Sequence, residues 1–347
     1  MSWQSVSNSK LLQPPLSPTD KRAPVERLPV ELIQKIFFYS LEFNFPRASF
    51  HIATALSNEI IYTWLVRLVF SSNNASSNSG IFVRPFLPIN QFSLDMNKRA
   101  ELQTELLRCR WCTITLMRRC QREYVEHVLR QKCGNLIMSD GDRARLYALD
   151  DYWKHVGQYD HTPRGRRGKG DLVLTARNPD SDVTLKIAIW FNSGSVQIRE
   201  PSPVVVQDTD VFLLPSCSIT DPCRMPDRLL QPPWTKENLE LLQLLSNEAY
   251  IDEDNNFERS KMVLRQLIID RDIDTFKYIL LLHVRVKVYA YPLRWPVRPN
   301  HFRLAARYAE SENDDPFLKV LFSERRDDIS STDKSIRALL SRYDRSL

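Results

Sequence analysis

The sequence predicts an α+β protein that is mainly α, with one small antiparallel sheet set between helical segments. Three observations predict it. Apolar residues recur at helical spacing over residues 28–70, 96–131 and again from Trp234 onward. Between residues 170 and 215 the period drops to two, in runs rich in β-branched side chains. Glycine is scarce at 8 residues while proline reaches 21, which argues against a glycine-rich phosphate loop and so against a nucleotide enzyme.

The chain has 347 residues, 43% hydrophobic and 26% charged, enough for two or three modules with cores of their own. Residues 1–23, rich in Ser and Pro, bury too little apolar surface to offset ordering entropy and are expected to form a disordered arm. A first helical module is expected over 24–71. In it Pro29 and Glu31 begin a helix carrying Leu32, Ile33, Ile36, Phe37 and Leu41, and a second apolar helix covers 52–70. The Ser/Asn-rich stretch within 72–95 reads as a linker.

The next module, 96–232, opens with one long or two adjoining helices and a shorter helix over 143–156. Strands follow at 172–174, 183–190, 195–198, 204–206 and 211–214, punctuated by Asn178-Pro179-Asp180 and Asn192-Ser193-Gly194. Residues 215–233 hold five prolines and read as a linker. From 233 to 347 a helical array is expected. It is introduced by the N-cap Thr235 with Asn238 three residues on, a weaker version of a capping box.

Charge narrows the function classes. The net charge of +6 is local: residues 98–132 hold nine Lys/Arg against four Asp/Glu, and Arg164-Gly165-Arg166-Arg167-Gly168-Lys169 adds a small basic cluster. From Thr235 onward there are 19 Lys/Arg and 19 Asp/Glu, a neutral balance. The longest apolar stretches, 60–70 and 278–288, are too short for a bilayer and carry Arg67, Arg285 and Lys287. Residues 1–20 have no apolar core of the signal-peptide kind, so an intracellular location, cytoplasmic and/or nuclear, is expected, with no membrane partner.

Catalytic and metal chemistry find little purchase. Cys109, Cys112, Cys120 and Cys133 fall within a helical pattern, where cysteine is commonly a small buried residue, and no metal site is expected. Cys217 and Cys223 read as free thiols. The six histidines form no His-Glu-x-x-His pair and no nucleophile motif, so no catalytic residue and no cofactor are assigned.

The segment Val25-Glu26-Arg27-Leu28-Pro29-Val30-Glu31-Leu32-Ile33-Gln34-Lys35-Ile36-Phe37 resembles the opening of the F-box, most closely at Leu28-Pro29, Glu31-Leu32 and Ile36-Phe37. With Ile61-Tyr62-Thr63-Trp64-Leu65 it resembles F-box-like proteins of filamentous fungi. The second half departs from the common pattern, with Asn44-Phe45-Pro46-Arg47-Ala48 where many F-boxes place an acidic-leucine pair. The resemblance covers under a fifth of the chain. It implies an adaptor that binds the Skp-type linker subunit through Leu28, Pro29, Leu32, Ile36, Phe37 and Leu41. Through that subunit it would bring an unidentified protein substrate to the cullin and RING subunits of an SCF ubiquitin ligase.

In the C-terminal part, Leu264-Arg265-Gln266-Leu267-Ile268 leads through Arg271 to Phe276, Ile279 and Leu280, and the idea repeats from Phe302. This resembles the helix pair of an ankyrin-type repeat. The Thr-Pro-Leu-His turn is missing and Arg271 stands where glycine normally closes the first helix. A generic antiparallel bundle stays open beside it. Two further functional readings also stay open: a helical-repeat interaction scaffold without a ubiquitin role, and a nucleic-acid binder using residues 98–169. No RNP-like or finger signature supports the latter.

Overall fold

The computed structural model describes residues 23–72, 94–159, 170–201, 210–310, 314–329 and 333–346. The expected arm (but for Ala23), most of the 72–95 linker, the basic cluster 164–169 and the strand at 204–206 lie outside them. The fold is α+β and mainly α: thirteen α-helices and eight short strands among the described residues. The chain divides into two compact units between Asn58 and Glu59.

The described part of the first unit holds α1 (Val30–Ser40) and α2 (Phe50–Leu56). α1 starts directly after Pro29, whose carbonyl accepts the amides of Leu32 and Ile33, and it ends on Leu41 in the left-handed conformation (φ 47°). Ser49 caps α2 by accepting the Ile52 amide at 3.2 Å. Gln34 Nε2 donates to the Ala55 carbonyl at 3.0 Å, tying α1 to α2. The expected single helix over 52–70 is two helices: α2 stops at Leu56 and α3 (Glu59–Phe70) begins after Ser57 and Asn58.

The second unit is organised around α5 (Ile114–Cys133), which packs against α3, the five-stranded sheet and α8 (Lys236–Leu245). Of the one long or two adjoining helices expected over 96–131, the structure has two, α4 (Met96–Arg108) and α5, with Thr113 capping α5 through the Leu116 amide. The helix expected over 143–156 is likewise two, α6 (Asp140–Tyr147) and α7 (Leu149–Lys154).

The antiparallel sheet runs in chain order, β1 (Ile137–Met138), β2 (Leu172–Arg177), β3 (Thr184–Trp190), β4 (Ser195–Arg199) and β5 (Val211–Leu213). The two-residue β1 carries no period that reveals it in the sequence. Gly194 closes the β3–β4 turn at φ 61°, where a Cβ would come within 2.5 Å of the Leu214 carbonyl oxygen and 2.6 Å of Gln121 Cγ. Arg118 of α5 holds this turn through the Asn192 carbonyl (2.5 Å) and reaches Glu240 of α8 at 3.1 Å.

The expected linker at 215–233 is a packed connector instead. Cys217, Cys223, Met225, Leu229 and Leu230 are buried. The Ser216 amide donates to the Phe70 carbonyl (2.8 Å), the Arg224 amide to Thr104 Oγ1 (3.0 Å), and Arg228 to the carbonyls of Leu107 and Cys112. Proline suits such a path because it brings no amide donor to be satisfied inside the fold.

The expected helical array also contains a second sheet. β6 (Tyr250–Asp252) pairs in parallel with β7 (His283–Val286), and β7 pairs antiparallel with β8 (Leu293–Arg294). Each of β6 and β7 precedes a helix pair: α9 (Glu258–Ile269) with α10 (Ile273–Leu281), then α11 (Pro299–Tyr308) with α12 (Pro316–Glu324). The pairs stack like on like, α9 on α11 and α10 on α12, and α13 (Lys334–Ser346) packs on α11. Buried arginines join successive layers through carbonyls: Arg285 reaches Glu248, Ser218 and Ile219, and Arg325 reaches Leu280 and Trp295. No helix among the described residues is long and apolar enough to cross a membrane.

Candidate functional site

The apolar residues of α1 divide into two stripes. Ile33, Phe37, Phe38 and Leu41 are buried, with the Phe37 ring 5.9 Å from Phe38 and edge-on to Phe43 at 6.0 Å. Leu32, Ile36 and Tyr39, at i, i+4 and i+7, face solvent at 44%, 40% and 54% exposure. Val30 and Pro29 are also exposed at the N-terminal end, although Val30 stands about 200° around the helix from Leu32; Leu28 is half-buried, and Phe50 at the start of α2 is 89% exposed. A helix covered on one apolar face and open on the other leaves surface that a partner can cover, at roughly 1.5–3 kcal/mol for each large side chain fully buried.

Of the six residues expected to touch a partner, Leu28, Pro29, Leu32 and Ile36 are at least partly accessible. Phe37 and Leu41 are at 3% and 7% exposure and serve the interior. The expectation that all six touch a partner is corrected for these two, because residues one apart on a helix, such as Ile36 and Phe37, lie about 100° apart and so point to different surroundings. Tyr39, Val30 and Phe50 were missed. Tyr39 sits seven residues after Leu32, a spacing that carries the signal; the exposure of Phe50 has none in the sequence.

The basic excess over residues 98–132 is largely committed internally. Arg99 is buried against the Val69 carbonyl (2.8 Å), and its burial pulls the guanidinium down to about 10. Arg118 reaches Glu240, Arg122 reaches Glu126 at 2.9 Å, Arg108 reaches Glu105, and Arg119 holds Glu59 and Thr63. Tyr152 and Trp153 turn their rings to Phe191, each 5.1 Å away, so they are used within the fold.

Of the four cysteines expected within a helical pattern, Cys109 and Cys112 lie instead in the turn between α4 and α5, and only Cys120 and Cys133 are on a helix, α5. Cys120 and Cys133 are thirteen residues apart on α5, about 20 Å along its axis, and cannot share an ion. Burial raises Cys112 and Cys133 to about 12 and Cys120 to about 11, which keeps them as thiols. Cys217 and Cys223 are buried with their sulfurs 3.4 Å apart. No three His, Cys, Asp or Glu side chains gather to hold a metal among the described residues.

The open face of α1 therefore offers apolar contact and no acid, base or nucleophile arrangement. Compared with models of known protein families, with curated proteins and with solved structures, the chain matches none.

Proposed function

We propose that the chain is an F-box adaptor that recruits a protein substrate to an SCF-type cullin–RING ubiquitin ligase, with the solvent-facing stripe of α1 docking on the Skp-type linker subunit. The carrying observation is that stripe. Leu32, Ile36 and Tyr39 stand exposed on a helix whose opposite face is already buried, directly after the Leu28-Pro29 entry that gives the segment its F-box resemblance. On this reading the chain is not an enzyme and needs no cofactor. It positions a substrate, and the ligase partners supply the chemistry by proximity. The stacked helix pairs of the second unit, ankyrin-like in arrangement, are the proposed substrate-capturing part. The six cysteines, none of them in a disulfide, accord with a cytoplasmic or nuclear site of action.

The test is co-purification of the chain with a Skp-type linker subunit, beside a form lacking the residues before Asn58. Retention of the linker by the whole chain and its loss from the shortened one is the expected outcome. If the whole chain fails to retain it, the helical-repeat scaffold, favoured independently by the stacking of α9 on α11 and α10 on α12, takes its place.

A further inference from the structure

The charge balance of the C-terminal third hides a segregation that appears only on folding. α9 and α11 lie side by side, and an open groove of about 650 Å³ runs between them. α9 presents Lys261, Met262 and Arg265; α11 and its N-cap present Arg298, Arg303, Leu304 and Arg307. Five cations thus line the groove against one lining carboxylate, Glu258. Arg303 is bound to Asp333 at 2.5 Å, and Arg298 stacks 5.3 Å over the Phe257 ring. None of Lys261, Arg265, Arg298 and Arg307 has a carboxylate ion-pair partner among the described residues. Elsewhere in this unit arginines find partners, as Arg259 does with Asp227 and Arg271 with Asp315.

The groove is held rigidly. His301, on α11 and buried at 4% exposure, accepts the Arg298 amide at Nδ1 (3.0 Å) and donates from Nε2 to the Lys261 carbonyl (3.2 Å). One neutral imidazole therefore pins the start of α11 to α9, fixing where cations of the two helices meet. Like charges held together on adjacent helices raise the local potential, which an anionic partner relieves.

We propose that this groove binds an acidic peptide segment of a protein partner. Met262, 55% exposed, and the half-buried Leu304 give the groove an apolar strip between the cations, suited to a segment that alternates carboxylates with aliphatic side chains. The volume lies in the range of sites that take a few side chains. No Phe, Tyr or Trp lines it among the described residues, and the one ring that does, His301, is buried with both nitrogens hydrogen-bonded, so the exposed stacking platform that single-stranded nucleic acid uses is missing. The proposal deepens the adaptor reading by naming the class of substrate, and it rests on that reading for this role. The binding itself is measured on the chain alone.

The experiment is fluorescence anisotropy of the full chain, without linker subunit, against a fluorescein-labelled peptide of alternating Glu and Leu and its counterpart with Gln for Glu. The Glu peptide binds and weakens with salt, the Gln peptide binds at least about tenfold more weakly, and the double variant Arg265→Glu/Arg307→Glu loses the Glu peptide by a similar factor. The milder Arg265→Gln/Arg307→Gln, on exposed positions, gives a smaller loss with an unchanged circular dichroism spectrum. Lys277→Glu, on α10 outside the groove, leaves binding as it was. Equal binding of the two peptides, or charge variants that bind the Glu peptide like the parent, overturns the proposal. A single-stranded oligonucleotide that displaces the peptide at lower concentration than unlabelled peptide does would assign the groove to nucleic acid instead. Linker retention in the co-purification above is unaffected by any of these results, so the two readings fail separately.

Discussion

The guanidinium of Arg271 pairs with the carboxylate of Asp315 and lies 4.5 Å over the ring of Phe317. The residue that closes α9 is thereby bonded to the residue that opens α12. Arg271 takes the left-handed conformation (φ 58°) and completes a Schellman close, with its amide on the Ile268 carbonyl and that of Asp272 on Leu267. The Asp315 side chain is 1% exposed and caps α12 through the amides of Phe317 and Leu318, both at 3.0 Å. A glycine would take the backbone conformation more easily, but it would leave a buried carboxylate without its cation.

Asp315→Ala should therefore destabilise the second unit by about 2–4 kcal/mol, combining a lost helix cap with a broken ion pair. The pair is taken at the low end because Arg271 is a third exposed. Asp315→Asn, which keeps a capping oxygen, should cost about half as much. Urea denaturation checks both; equal losses for Ala and Asn would mean that the cap contributes nothing.

The two stripes of α1 should separate binding from stability. Leu32→Ser with Ile36→Ser alters exposed positions, so the melting temperature should barely move while linker binding falls more than about tenfold. Leu28→Ala with Pro29→Ala should weaken linker binding by a similar factor. Phe37→Ala, in the buried stripe, should instead cost about 3–5 kcal/mol of stability. Linker binding lost in step with stability across all three variants would remove the distinction.

His301 should make the chain acid-sensitive. Burial, ahead of its other causes, lowers this imidazole from 6.5 to about 4, so between these values the unfolded chain binds the extra proton and the folded chain does not. The stabilisation is fully present above pH 6.5 and is lost as pH falls toward 4, up to about 3 kcal/mol. The difference in stability between the parent and His301→Gln, followed over that window, should shrink by this amount. A pH-independent difference would place the acid sensitivity elsewhere.

Thiol chemistry should be confined to one site. Of the six cysteines only Cys109 is not buried, and burial holds Cys112, Cys120 and Cys133 in the unreactive thiol form. A chromogenic thiol reagent at neutral pH should titrate one group rapidly in the folded chain and all six in denaturant. Rapid reaction of more than one would contradict the burial of the remainder.

The helical and strand periods were legible in the sequence because each side chain's direction along one element depends on local geometry alone. α1, the β3–β4 hairpin with its Gly194, and the Thr235 cap could all be read that way, and so could the need for an unusual close at Arg271. The break at Ser57-Asn58 was not, and neither was the position of the break at Cys109 to Thr113 between the two adjoining helices that the sequence allowed, since no glycine or proline marks them and a capping serine or threonine is also ordinary inside a helix. The proline-rich stretch after Leu214 was misread because proline disfavours regular structure without preventing burial. The sequence by itself determined the types of the longer elements, the candidate entry at Leu28-Pro29 and the apolar character of α1, but not the two- to four-residue strands β1, β6, β7 and β8, which are too short to carry a period. Only the tertiary structure decided that Phe37 and Leu41 turn inward while Leu32 and Ile36 stay open, and that a charge-neutral C-terminal third gathers Lys261, Arg265, Arg298 and Arg307 along one groove. Both are matters of which face meets which neighbour, and that is set by contacts between residues far apart in the chain, which no local period encodes.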